Sequence, residues 1–150
     1  MISRPTTDQL IADVCQDLVH AVLPALTDET LQVRVAMAET VLRNAAVRAA
    51  HEIAWMSDET AALIEYANEV NARIPWVELT AALAAFDDGP QHSLHLADVV
   101  ETYERASRAF AVAAVQREGI AELVDAARDL LHDRVSTEKA VMATYAVVGR

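Results

Sequence analysis

Apolar residues along this chain return at steps of three and four, the spacing that lines one face of an α-helix. Ile11, Val14, Leu18 and Val22 set out a first helix, opened by Thr6 with Gln9 three residues on in capping-box spacing. Pro24 is expected to end or kink it, because proline lacks the N–H and crowds the preceding turn. A longer pattern over 28–56 carries the stripe Leu31, Val35, Ala38, Leu42, Ala45, Ala49 and Ile53, with Val33, Val41 and Val47 off that stripe. Ser57-Asp58-Glu59 reads as a new helix start, followed by Leu63, Ala67, Val70 and Ile74 and stopped at Pro75. Pro75 fits the first position of a fourth helix bearing Trp76, Leu79, Leu83 and Phe86.

The run Asp87-Asp88-Gly89-Pro90-Gln91 is the clearest loop in the chain. Ser93 can cap a fifth helix with the face Leu96, Val99 or Val100, Tyr103, Ala106, Phe110 and Ala114. Gly119 stands where a helix end favours a left-handed residue, and Ile120, Leu123, Val124, Ala127 and Leu131 carry a sixth helix. The pattern leaves open whether Ser136 and Thr137 start a seventh or whether the sixth runs on through Val141 and Tyr145.

Composition agrees with an all-helical reading. The chain has 150 residues and three glycines, Gly89, Gly119 and Gly149, so glycine-based hairpin turns and phosphate loops are excluded from its first half. About a fifth of the residues are alanine, the best helix former. Aromatics make up only 5%, so Ala, Val, Leu and Ile must build the core at short interhelical distances. The expected fold is an all-α antiparallel helical bundle of five to seven helices in one domain over 1–150, with a possible subdivision at the 87–92 loop.

Charge narrows the partners. Acidic residues number 23 against 12 basic ones, a net charge of −11 that opposes sustained contact with a phosphate backbone. Lys139 is the sole lysine, which leaves no polybasic patch for a membrane surface. No stretch approaches the roughly 18 uncharged apolar residues of a membrane span, and the segment from Met1 to Asp17 lacks the apolar run of a secretory signal. The single cysteine, Cys15, can form no intrachain disulfide. A cytoplasmic protein that binds neither nucleic acid nor membrane is expected.

Several constellations could carry chemistry. His92, His95 and Asp98 follow one another at steps of three and are all ligand types for zinc or iron, with Asp88 available from the loop. Glu101 and Glu104, with Glu122 and Asp125, resemble the four-acid magnesium motif of the all-α nucleotide pyrophosphohydrolases. A turn at Gly119 would set Glu122 opposite a position about 18 Å along the helix from Glu104, which separates the two pairs. His51-Glu52 opens like a zinc-protease helix, but Trp55 stands where the second histidine belongs. Arg34, Arg43 and Arg48 could meet an anionic ligand or form ion pairs with Glu39 and Glu52. Trp55 and Trp76, each near a helix end, suit an interface or the closing of a core.

The segments Arg4-Pro5-Thr6-Thr7-Asp8-Gln9-Leu10, Val22-Leu23-Pro24-Ala25-Leu26 and Arg34-Val35-Ala36 resemble the start of an uncharacterised family of small helical bacterial proteins. Members of that family tend to be encoded beside aminoglycoside-phosphotransferase-like kinases and acyl-CoA dehydrogenases. The likeness covers the first third of the chain and implies a partner, with no catalytic residue to carry over. The expectation is therefore a helical protein without chemistry or cofactor of its own, acting as a homodimer or as an accessory subunit of a metabolic enzyme. A metal-dependent all-α hydrolase and a protein holding an acyl or coenzyme ligand between helices are the alternatives.

Overall fold

The computed structural model describes residues 4–90, 92–116 and 120–142, and among these the chain forms five helices and no strand. The first, α1 (Thr7–Asp17), starts after an extended Thr6 whose backbone N–H donates to Gln9 Oε1 at 3.1 Å. It continues through a π-helical turn, Leu18–Val22, into a last turn, Leu23–Ala25. The π turn explains why Pro24 does not end the helix. Proline removes one N–H and its ring presses on the carbonyl four residues back, and the wider turn, in which the Leu23 N–H reaches back to the Leu18 carbonyl, makes room for it.

A short extended connection at Leu26 reverses the chain, and the Leu26 carbonyl accepts from Gln32 Nε2 at 2.8 Å. Asp28 then caps α2 (Glu29–Arg73) by accepting the Thr30 N–H at 2.8 Å and the Leu31 N–H at 3.3 Å. The expected restart at Ser57 is absent, and α2 passes through Ser57, Asp58 and Glu59 without a break. Capping residues allow a helix to begin only where the preceding chain has left helical geometry. Here no glycine or proline forces it out, and serine or aspartate inside a helix costs only about 0.5 kcal/mol each. The chain turns at Ile74-Pro75 into α3 (Val77–Asp87), then α4 (Leu96–Gln116) and α5 (Ala121–Met142). The sixth predicted helix is thus one element past Ser136. The expected turn at Gly119 and the segment around Tyr145 lie outside the described residues.

The chain divides into two compact units, Ile53–Ser136 and the pair of segments Met1–Glu52 and Thr137–Arg150. The 87–92 loop lies inside the first of these. Unit Ile53–Ser136 holds the hydrophobic core: Leu63, Tyr66, Ala67 and Val70 from α2, Leu79 from α3, Ala106, Ala109, Phe110 and Ala113 from α4, Leu123 and Ala127 from α5. The α2 and α4 sets have the same three-and-four spacing, so one stripe of each helix is turned inward. Ala67, Ala106, Ala109 and Ala113 are wholly inaccessible, which lets the helix backbones approach closely. Tyr66 and Phe110 pack as a tilted pair at 5.3 Å, and the buried Tyr66 hydroxyl donates to the Leu123 carbonyl at 3.1 Å.

The hairpin of α3 and α4 depends on Gly89. A Cβ there would stand 2.9 Å from Arg105 Cδ and 3.0 Å from the Phe86 carbonyl oxygen. Arg105 lies across this end of α3 and donates to the Ala85 carbonyl, where a cation also favours the helix C-terminus.

In the other unit, α1 and the start of α2 form an antiparallel hairpin. Cys15 Sγ donates to the Glu39 carbonyl at 3.7 Å, and His51 is near enough to Asp8 to favour its charge. Among its described residues the buried ones are Cys15, Glu39 and Asn44.

Candidate functional site

His92 lies before α4 with φ of 63°, a left-handed conformation on a residue with a side chain, so scarcity of glycine did not exclude positive φ. His95 precedes the first residue of α4 and is exposed, while Asp98, in the first turn, accepts the Ser93 hydroxyl at 2.6 Å. Ser93 Oγ also accepts the His95 N–H at 3.2 Å. The expected Ser93 cap is therefore a brace on the first turn of α4, tied at once to Asp98 and to the His95 backbone.

Three of the four acids meet arginines. Glu101 accepts Arg105 at 2.7 Å, Asp125 accepts Arg128 at 2.7 Å, and Glu122 accepts Arg73 at 3.0 Å. Glu104 is exposed beside a surface cleft of about 310 Å³ that Arg105 and Arg108 also line. Among the described residues no group of three or more His, Cys, Asp or Glu side chains is placed to hold a metal ion.

Arg34, Arg43 and Arg48 do not converge. At about 100° per residue, Arg34 and Arg43 stand on opposite sides of α2. Arg43 holds Glu39, Arg48 holds Glu52 at 2.5 Å, and Arg34 is exposed with no ion pair among the described residues. Trp76 packs against the core of its unit, and Trp55 is half-buried on α2.

One cluster was missed by sequence reasoning. Glu59 of α2, Tyr103 of α4 and Arg134 of α5 meet, with the Arg134 guanidinium 5.7 Å above the Tyr103 ring and Arg134 Nε 3.5 Å from Glu59 Oε1. Burial first, and then the Glu59 charge, pushes the Tyr103 hydroxyl above its ordinary range. These residues lie 44 and 31 positions apart in sequence, so no local spacing could reveal them.

The α1–α2 hairpin presents a different kind of surface. Its seam holds Cys15 against Glu39, and burial pushes the Cys15 thiol up, which keeps it protonated and inert. To one side of the seam, Ala12, Gln16 and Val19 with Arg43 and Ala46 line an apolar groove of about 300 Å³. On the other side, α1 presents Leu10, Ile11, Val14 and Leu18, and α2 presents Leu31, Val35, Ala38, Leu42, Ala45 and Ala49. This is the stripe that periodicity marks as core, yet Leu10, Val14 and Leu31 are 53%, 49% and 45% exposed. A separate row on α2, Val33, Met37 and Val41, is also exposed. Compared with known proteins, the chain matches no family model, no curated protein and no solved structure.

Proposed function

We propose that this protein works by association, as a homodimer or as an accessory subunit of a metabolic enzyme, and carries no chemistry of its own. The observation that supports this reading is the uncovered apolar surface of the α1–α2 hairpin. A helix with a strong apolar stripe has to bury it against another element; the hairpin leaves Leu10, Val14, Leu31, Val33, Met37 and Val41 open to solvent. Leu10, Val14 and Leu31 share one face of the hairpin, and contiguous apolar exposure marks interaction surfaces. Several residues that could otherwise do chemistry are engaged elsewhere: Glu101, Glu122 and Asp125 in ion pairs, Asp98 with Ser93, Cys15 as a buried thiol.

Native mass spectrometry of the purified full chain tests the reading. The expected species is a dimer or a complex with a second protein, free of stoichiometric metal or small ligand. A bound metal ion or acyl ligand at one equivalent per chain overturns it.

A further inference from the structure

The apolar side of the hairpin carries no charged residue between its edges. In a chain of net charge −11, that leaves a patch from which like-charge repulsion is absent. Leu10, Val14 and Leu31 with the exposed Ala38 and Ala49, and the half-buried residues between them, present on the order of 500 Å² of apolar surface. Two such faces together give roughly 1,000 Å², the area a specific interface requires. The bulk is divided unequally: α1 supplies leucine, isoleucine and valine, whereas α2 supplies chiefly alanine beyond Leu31, Val35 and Leu42. The edges divide by sign. Asp13 and Asp17 border the face on α1, and Arg34 borders it on α2, where Glu52 at the far end is bonded to Arg48.

We infer that this face is covered by a second copy of the chain, related by a twofold axis that runs along the helices and lays α1 of each copy on α2 of the other. This deepens the association reading and rests on it. The arrangement seats the bulky side chains of α1 over the alanines of α2 and sets acidic edges beside basic ones, as an isologous interface requires. Laying α1 on α1 would bring four aspartates together and stack bulk on bulk. The product is a four-helix bundle built from two hairpins that each lack half of their core.

The Cys15–Glu39 hydrogen bond sets the register of the antiparallel hairpin, so Val14 and Ala38 stand within about 3 Å of one level on this face. Both are exposed, and substitutions there leave the hairpin seam intact. The test uses analytical ultracentrifugation of the full chain, with circular dichroism confirming that each variant keeps wild-type helicity and melting. The wild type is expected to be a dimer at micromolar concentration. Val14→Glu alone and Ala38→Arg alone should each weaken self-association by at least about 30-fold, because each places an unpaired charge in the contact. A one-to-one mixture of the two variants should restore a heterodimer, since Glu on α1 of one then meets Arg on α2 of the other.

A monomeric wild type at about 100 µM overturns the inference, as does a dimer unmoved by either variant or a mixture that stays monomeric. A dimer insensitive to these substitutions leaves the broader association reading in place. That reading falls on a different result, the stoichiometric metal or ligand named above.

Discussion

Gly89 shows how a single missing carbon governs a local structure. With Arg105 Cδ at 2.9 Å from the position a Cβ would take, Gly89→Ala must displace the arginine that donates to the Ala85 carbonyl at the end of α3. The loss of that charged hydrogen bond, partly screened by solvent, is expected to lower stability by about 1 kcal/mol in urea unfolding. Arg105→Ala should cost a similar amount and, in a double-mutant cycle, reduce the effect of Gly89→Ala to what the Phe86 carbonyl at 3.0 Å still imposes. Tyr103 gives a pH test. Its hydroxyl is held above the ordinary value of 10.0, so the stability it contributes is fully present below that pH and is lost as pH rises through the raised value. An absorbance titration should place its midpoint above 10.0, and Glu59→Gln should lower the midpoint while leaving it elevated, since burial is the larger cause. At this scale the sequence was least informative. The Thr6–Gln9 cap was legible because its partners are three residues apart, whereas Glu59, Tyr103 and Arg134 come together only after three helices have packed.

At the scale of elements, the continuity of α2 is directly testable. If a helix began after Ser57, Asp58→Pro would sit in a first turn and be tolerated; in the interior of α2 it removes a hydrogen bond and is expected to cost about 3 kcal/mol or more. Thermal melting of that single variant separates the two cases. Periodicity identified every helical segment, and its errors have physical sources. Ser57-Asp58-Glu59 has the composition of a start, but composition cannot report that nothing upstream compels the helix to stop. Pro24 has the composition of an end, yet the π turn at Leu18–Val22 absorbs it. For the stripe from Leu31 to Ala49, period reveals only which residues share a face and says nothing of what stands opposite.

For the whole molecule, the distribution of buried side chains predicts a distribution of stability. Amides of Ala67, Val70, Ala106, Ala109 and Ala113 should be the slowest to exchange with deuterated solvent, at the free energy of global unfolding. Amides of α1 should exchange through cheaper local openings, because their hairpin buries little apolar surface. If two copies cover one another, protection in α1 should rise with protein concentration while that of the Ala67 region stays constant. The fold class was legible from composition alone. Which apolar stripes are closed was not, since closure depends on helices distant in sequence.

The alanines at the centre of the Ile53–Ser136 core impose a one-sided constraint on what this protein can become. Ala67, Ala106, Ala109 and Ala113 are already at the smallest side chain that keeps helix propensity, and each is wholly enclosed. Random substitution there can only add volume or introduce glycine, and added atoms have to push two backbones apart, because there is no slack into which they could rotate. Drift in this chain is therefore channelled away from those positions and toward its leucines and valines, which can exchange one branched shape for another.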